Sequence, residues 1–202
     1  MSNLYTAFKG FHNTSFQLVS QLCGDKLFLT NSFQGLEKEI LSLGTDYDAI
    51  YMFGIDKNLR NGIRIETCAN YNGELVTTSF DIVTLEKVIK DSGISYIISN
   101  KPTAYLCNAA YYHMLKRNRN TVFIHIPSIK GMNPSLMNKL LQMVWMASFL
   151  SRRAKTKIRS RKWTDFCLYY SFFIIHHSLF IKRERIFKWR MNNEVASLMN
   201  NE

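Results

Sequence analysis

The sequence predicts an α/β fold: a three-layer α/β/α arrangement with an open, mostly parallel sheet and a C-terminal helical extension. Short apolar runs alternate with amphipathic stretches over residues 1–150, which is the pattern of strands covered by helices on both faces. Hydrophobic residues make up 47% of the 202 residues, enough to bury one core. Residues 151–202 break the alternation, because they gather positive charge around a single apolar block.

The individual elements follow from the period of the apolar positions. The predicted strands are short runs rich in β-branched and aromatic side chains, at 4–8, 26–30, 48–55, 62–67, 94–100 and 121–126. The predicted helices repeat apolar residues every three or four positions, at 15–23, 35–43, 81–91, 107–117 and 134–150. We therefore expect residues 1–150 to form one layered domain and 151–202 an extension.

Two residues stand where predicted elements begin or end, Cys107 and His125. Cys107 lies in the first turn of a predicted helix, where the helix N-terminus stabilises an anion and so favours the thiolate. His125 lies near the end of the following strand, which Pro127 terminates. Distant residues of a chain often form such a nucleophile and base pair. A buried structural cysteine and a core histidine are the alternative that residue type alone leaves open.

Glu66 ends another predicted strand and completes a set of three polar side chains with Cys107 and His125. In open α/β sheets, functional sites collect at the C-terminal ends of strands. We therefore expect the carboxylate, the sulfur and the imidazole to converge at one edge of the sheet. Because Glu66 alternates with Arg64, a solvated strand face is the other interpretation of this carboxylate.

Four short sequences match the motifs of one family in the correct order. Tyr105-Leu-Cys-Asn108 is similar to its aromatic-aliphatic-Cys-Asn turn, and Phe123-Ile-His-Ile-Pro127 to its Phe-Ile-His-hydrophobic-Pro strand. Ile63-Arg-Ile-Glu-Thr-Cys-Ala69 is similar to the strand that ends in its catalytic glutamate. Phe8-Lys-Gly-Phe11 keeps the spacing of its paired phenylalanines, and Asn13-Thr-Ser15 is similar to its Asn-Pro-Ser helix start. Together these sequences resemble the pyroglutamyl peptidase I family, the pyrrolidone-carboxylate peptidases.

The resemblance implies a cysteine peptidase that removes an N-terminal pyroglutamyl (5-oxoproline) residue from peptides without a metal or organic cofactor. It implies that Cys107 is the nucleophile, that His125 carries the proton and that Glu66 orients the imidazole. Phe8 and Phe11 would pack on the lactam ring of the peptide substrate. Homo-oligomers also occur in this family, so a homo-oligomer is one expected assembly.

The chain departs from the family pattern at three places, one of which is a shorter glycine-rich loop between the paired phenylalanines and the Asn-Pro-Ser helix start. Pro102-Thr-Ala104 stands where the family has Ala-Gly-Thr, so the turn before the cysteine lacks the glycine that eases unusual backbone angles. Residues 70–79 contain no equivalent of the family arginine that helps to bind the oxyanion. These departures predict a smaller pocket and leave open a relative without activity.

The predicted extension is strongly basic. Residues 151–202 contain 12 lysines and arginines and 4 aspartates and glutamates, so they supply most of the net charge of +11. Basic runs at 152–162 and 182–190 flank an apolar block at 166–181, which is shorter than the ~20 residues of a membrane-spanning helix. A helix on an anionic membrane surface and an extension packed on the domain remain open. We expect no specific nucleic acid partner, only weak and salt-sensitive adhesion to polyanions.

Cysteine usage predicts the compartment. The four cysteines show no CxxC spacing and none pairs with histidines at zinc-like spacing, so we expect free thiols and no metal site. Because no secretory segment opens the chain, a reduced, cytoplasmic setting is predicted.

Overall fold

The computed structural model describes residues 2–44 and 47–155, with the backbone alone for 151–155. The strands in this part of the chain are β1 Ser2–Phe8, β2 Asp25–Leu29, β3 Tyr47–Asp56, β4 Gly62–Glu66, β5 Cys68–Tyr71, β6 Glu74–Thr77, β7 Ser95–Ser99 and β8 Thr121–Pro127. The helices are α1 Thr14–Gln21, α2 Phe33–Leu41, α3 Ile82–Asp91, α4 Leu106–Arg117 and α5 Pro134–Lys155.

Six of the strands form one mixed sheet in the order β2-β1-β3-β8-β4-β7. The first four are parallel to one another. β4 runs antiparallel to β8, and β7 runs parallel to β4, so the last two strands point the opposite way. The predicted open, mostly parallel sheet is confirmed, and the reversal at β4 is the feature that the sequence pattern did not predict.

Helices cover both faces of the sheet, as the alternation of elements predicts. Apolar side chains of α1, α3 and α5 form one cluster with the first face. Those of α2 and α4 form a second cluster with the other face. β8 contributes side chains to both clusters, because successive side chains of a strand point to opposite faces. Ile124 thus belongs to the first cluster and Phe123 to the second.

Side-chain caps fix where four of the described helices begin. Asn13 accepts hydrogen bonds from the first turn of α1, Ser32 from Gly35 of α2, Asp81 from Thr84 of α3, and Asn133 from Leu136 of α5. Such caps satisfy amide groups that have no partner within the helix. α4 differs, since Tyr105 at its N-cap position offers no side-chain hydrogen bond. The amides at the start of α4 therefore have no capping side chain.

A β-hairpin formed by β5 and β6 was not predicted. Its strands pair in antiparallel register up to Tyr71 and Glu74. The turn is Asn72-Gly73, and both residues have positive φ, 51° and 82°. Asn-Gly is the strongest short-range hairpin signal in a sequence, so this dipeptide could have identified the element. The hairpin occupies the segment in which the family arginine has no counterpart.

The predicted boundary of the domain at residue 150 falls inside α5, which continues to Lys155. The rest of the predicted extension, and with it Cys167, lies outside the described residues. Among the residues that are described, no helix combines the length and the hydropathy that a membrane crossing requires.

Candidate active site

A buried hydrogen bond between His125 and Glu66 forms the centre of the site. In the antiparallel pairing of β4 with β8, Arg64 stands opposite His125 and Glu66 opposite Phe123. These four side chains therefore share the face that α4 covers. His125 Nδ1 lies 3.0 Å from Glu66 Oε1, and each side chain is only 6% exposed.

The expectation that C-terminal strand ends bring these groups together was wrong in its geometry. β4 is reversed, so its C-terminal end points toward the start of β8. His125 and Glu66 meet because two antiparallel strands place them diagonally on one face, which is a cross-strand contact. The register between β4 and β8 thus brings together the two groups that were expected to meet at a common edge of the sheet.

The carboxylate determines which nitrogen of His125 carries the proton. An ionised carboxylate only accepts hydrogen bonds, so Nδ1 must donate to Glu66. Burial by itself raises the pKa of the Glu66 carboxyl, but hydrogen bonds from His125, Arg64 and Ser99 bring that pKa below its ordinary value. The carboxylate is thus ionised at neutral pH, and Nε2 of the imidazole is left as a proton acceptor.

Cys107 lies over Gly54, the residue that pairs with His125 across β3 and β8. A Cβ atom built on Gly54 would lie 3.5 Å from Cys107 Sγ and 2.7 Å from Phe123 Cζ. Only a glycine leaves room for the Phe123 ring, whereas the approach to the sulfur is an ordinary van der Waals contact. The thiol lies close enough to Glu66 and Arg64 for their charges to act on it. Sequence reasoning missed Gly54, although a lone glycine in a strand signals a close approach.

The resting thiol differs from the sequence-based expectation. The pKa of Cys107 is raised to about 11, mainly by burial and also by the charge of Glu66, although a hydrogen bond from the Cys107 amide and the charge of Arg64 oppose the rise. The expected stabilisation of a thiolate at a helix N-terminus was therefore wrong for the free protein. Desolvation of an anion outweighs a partial helix charge even at this partly buried position. The thiol is neutral at pH 7.

Two side chains of α4 fix the helix above the site. The Asn108 amide accepts a hydrogen bond from Asn70 N at 3.0 Å and donates to Asn70 O, which ties the helix to β5. Tyr111 donates from its hydroxyl to Glu66 O at 3.0 Å. These contacts hold the helix start at a defined position over β4 and β8.

Arg64 is part of the site and not of a solvated strand face. Its side chain is 24% exposed, and its guanidinium contacts Glu66, Asp56 and His125. Asp56 at the end of β3 is only 10% exposed. Sequence reasoning assigned no role to either residue, because they become neighbours only through the reversed strand.

A narrow cleft with about 190 Å³ of empty space, partly open to solvent, adjoins the His125–Glu66 pair. Its lining residues come from β4, β5, β8, α4 and the loop before α4: Glu66, Cys68, Pro102, Thr103, Asn108, Tyr111, Phe123 and His125. Pro102 and Thr103, from the turn that departs from the family pattern, thus form one wall.

The predicted ring-binding pair, Phe8 and Phe11, is divided between core and surface. Phe8 is 4% exposed and belongs to the same apolar cluster as Cys107. Phe11 is 82% exposed and lies edge-on to Phe16 at 5.6 Å between ring centroids. Neither is among the residues that line the cleft, and their role in substrate binding stays a prediction.

The described residues contain no group of three or more His, Cys, Asp or Glu side chains arranged to hold a metal ion. The carboxylates of the site already have partners within it. Asp56 binds Arg64, and Glu66 binds both Arg64 and His125. The arrangement is that of an imidazole base, an orienting carboxylate and a nearby thiol.

Several solved pyrrolidone carboxyl peptidases have a fold similar to that of this chain. Pyrrolidone carboxyl peptidase from Thermus thermophilus is 18% identical with a TM-score of 0.59, covering 72% of this chain and 99% of its own. A mutant from Pyrococcus furiosus is 21% identical with a TM-score of 0.60, covering 77% and 100%. The Thermococcus litoralis protein is 14% identical with a TM-score of 0.59, covering 80% and 100%.

The chain therefore has the fold of the pyrrolidone carboxyl peptidases, and the resemblance predicted from its motifs is confirmed at the level of the fold. No family model matches the sequence. A search of curated proteins also found no match.

Proposed function

We propose that this chain is a cytoplasmic cysteine peptidase that removes an N-terminal pyroglutamyl residue from peptides. The observation that carries the proposal is the buried hydrogen bond from His125 Nδ1 to Glu66 Oε1 at 3.0 Å, beneath the helix that bears Cys107. The shared fold and the matching motifs support the same activity.

In the first half of the reaction, Cys107 attacks the carbonyl carbon that joins the pyroglutamyl residue to the next amino acid. The thiol proton passes to Nε2 of His125 as the sulfur–carbon bond forms, and negative charge develops on the carbonyl oxygen. Glu66 stabilises the resulting imidazolium through Nδ1. The carbon–nitrogen bond then breaks, the leaving amine takes the proton from Nε2, and a pyroglutamyl thioester remains on Cys107.

In the second half, water hydrolyses the thioester. His125 Nε2 accepts a proton from the water as its oxygen attacks the carbonyl carbon, and the sulfur leaves. The proton returns to the sulfur, and free pyroglutamate is released. The neutral resting thiol, with its pKa raised to about 11, fits proton transfer during attack better than a preformed ion pair.

The start of α4 offers a place for the developing oxyanion. Asn108 N and Ala109 N already bind the carbonyl of Tyr105. The preceding amides, at Leu106 and Cys107, have no side-chain cap. Backbone N–H groups at a helix N-terminus stabilise negative charge. They would serve in place of the family arginine that has no counterpart here.

Selectivity for a blocked N-terminus follows from the desolvation of the site. Phe8 and Cys107 share an apolar cluster on the face that α2 and α4 cover. A flat, uncharged lactam can enter such surroundings at little cost, whereas a free ammonium group loses its hydration. We therefore assign the lactam to the Phe8 side of Cys107.

The test is release of a fluorophore from a pyroglutamyl-amide substrate. The unmodified protein should release it, and Cys107→Ala should reduce release to the background rate while retaining the wild-type circular dichroism spectrum. Cys23→Ala, at an exposed cysteine, is the matched control and should keep full activity. A folded wild-type protein without turnover would contradict the proposal.

A catalytically inactive relative that binds membrane surfaces is the second candidate. The observation that favours it is the charge of residues 151–202, with 12 basic and 4 acidic side chains. Basic segments next to apolar residues bind anionic lipid. Co-sedimentation with phosphatidylserine vesicles should then disappear when residues 157–202 are removed. Equal sedimentation of the full and the truncated chain would exclude this role for the segment.

A further inference from the structure

We infer that Arg64, held by Asp56, is a positioning residue that fixes Glu66 against His125 and sets the charge of the pair. The inference rests on the proposed function, because positioning matters only if His125 acts as the base. It concerns residues to which the sequence motifs assign no role.

The guanidinium of Arg64 contacts three groups of the site. Its Nε donates to Glu66 Oε1 at 2.7 Å, and its Nη1 donates to Asp56 Oδ2. Its Nη2 lies 3.3 Å from His125 Nδ1. Since Nδ1 already donates its hydrogen to Glu66, this last contact places a cation beside the imidazole and is not a hydrogen bond. Arg64 thus acts on the imidazole electrostatically.

The strand order explains why Arg64 can hold both carboxylates. Glu66 lies on the same strand as Arg64, whereas Asp56 lies on β3, on the far side of β8. The guanidinium therefore crosses over β8 at the level of His125. Asp56 is fixed in turn, because its Oδ1 accepts a hydrogen bond from Asn58 N at 2.8 Å. The anchor is part of the turn that ends β3.

This arrangement restrains the orientation of the Glu66 carboxylate. Oε1 accepts from both His125 Nδ1 and Arg64 Nε, while the buried Oε2 has no hydrogen-bond partner. With Arg64 in place, the oxygen that faces Nδ1 is held from two sides. Without it, His125 and the side chain of Ser99 would have to orient the carboxylate.

Charge balance gives Arg64 and Asp56 opposite effects on His125. Two carboxylates and one guanidinium leave the cluster with a net charge of −1, which an imidazolium neutralises. Removal of Asp56 brings the cluster to zero net charge and so disfavours the imidazolium, whereas removal of Arg64 brings it to −2 and favours the imidazolium. The other titratable groups that approach His125 are the neutral Cys107 and Tyr111 of α4 and Cys68 of β5.

The experiment compares Arg64→Gln and Asp56→Asn with Arg60→Gln as the matched control. Arg60 precedes the same strand and donates only to the backbone carbonyls of Lys57 and Leu59. The first readout is the pH titration of the His125 ring protons by NMR, which needs no substrate. The midpoint should move to lower pH in Asp56→Asn and to higher pH in Arg64→Gln, by about one pH unit. Arg60→Gln should leave it unchanged.

The second readout is the pH profile of kcat/KM with the pyroglutamyl-amide substrate. Its acid limb should move in the same opposite directions, and kcat of Arg64→Gln should fall by about tenfold to a hundredfold with little change in KM. Free guanidinium ions should restore part of the kcat lost in Arg64→Ala. If Arg64 and Asp56 formed only a structural ion pair, the two variants would not shift the acid limb in opposite directions.

The two readouts separate the two proposals. A His125 titration that is the same in the wild type, Arg64→Gln and Asp56→Asn overturns the role of Arg64. If Arg64→Gln does not fold, the nearly isosteric Asp56→Asn decides the question alone by the direction of its shift. A wild-type protein that shows the NMR shifts in its variants but no turnover overturns the proposed function.

Discussion

The two faces of the sheet use the same strands for different purposes. On the face covered by α1, α3 and α5, β8 contributes Val122, Ile124 and Ile126, each fully buried among aliphatic side chains. On the face covered by α2 and α4, the alternate residues Phe123 and His125 lie beside the cluster of charged groups. Successive residues of β8 thus alternate between the apolar core on one face and the candidate site on the other.

The comparison teaches that burial has opposite consequences on the two faces. Apolar burial stabilises the fold by about 25 cal/mol per Å². On the other face, burial raises the pKa of Cys107 and would do the same to Glu66 if Arg64 and His125 did not bind it. Charged groups are kept there only because they neutralise one another.

The largest expected effect is a loss of stability from a substitution on the face that α1, α3 and α5 cover. Ile124→Ala removes a side chain with no exposed surface, so we expect a loss of about 2–5 kcal/mol in the free energy of unfolding. Turnover per folded molecule should be unchanged. Urea denaturation measures the loss, and Ile97→Ala on β7, at a side chain that is 58% exposed, is the control. Equal losses in both variants would contradict the division of the two faces.

The second prediction concerns the thiol on the other face. Burial raises the pKa of Cys107 to about 11 from an ordinary 9.0, so little thiolate is present near pH 8. Iodoacetamide should modify Cys107 between about tenfold and a hundredfold more slowly than the exposed Cys23. The rate at Cys107 should rise steeply above pH 9. Mass spectrometry of the peptides measures both rates. Faster modification of Cys107 than of Cys23 at pH 8 would contradict the raised pKa of Cys107.

The third prediction tests the close packing of Phe123 on Gly54. Gly54→Ala places a methyl group 2.7 Å from Phe123 Cζ, and we expect a loss of about 1–3 kcal/mol in the free energy of unfolding. Turnover should fall as well, because the displaced Phe123 ring packs on His125, with 4.5 Å between the ring centroids. Gly44→Ala, where a Cβ meets no atom within 4 Å, should change neither quantity. Full activity in Gly54→Ala would mean that His125 does not depend on the position of Phe123.

The smallest expected effect is the pH dependence of the stability that Glu66 contributes. The folded pKa of Glu66 is lowered, so its contribution to stability is fully present above the ordinary value and is lost as pH falls through the folded value. The difference in unfolding midpoint between the wild type and Glu66→Gln should therefore shrink between pH 7 and pH 3. Glu37→Gln, at a side chain that is 48% exposed, is the control. A constant difference would contradict the lowered pKa.

Most of the fold was predictable because each element carries its own pattern. Within the described residues, the period of apolar positions located each helix and each strand of the large sheet, because burial on one or two faces gives a local pattern along the chain. The hairpin of β5 and β6 was missed because Asn72-Gly73 was not used as a turn signal. The reversal of β4 has no local signature, since strand direction depends on the partner.

The candidate site was predictable in part. Sequence motifs identified Glu66, Cys107 and His125, and the structure brings the carboxylate and the imidazole into contact. Their catalytic roles stay predictions. Asp56 and Arg64 could not be found in this way, because their contact depends on the register between strands that are not adjacent.

The sequence by itself determined the alternation of strands and helices, the layered class and the choice of candidate site residues. Those properties depend on residue type and period, which are local. Only the tertiary structure decided that β4 runs antiparallel, that Gly54 leaves room for the Phe123 ring, and that Arg64 lies beside His125. Desolvation and charge pairing depend on which atoms surround a group, and chain distance does not specify those neighbours.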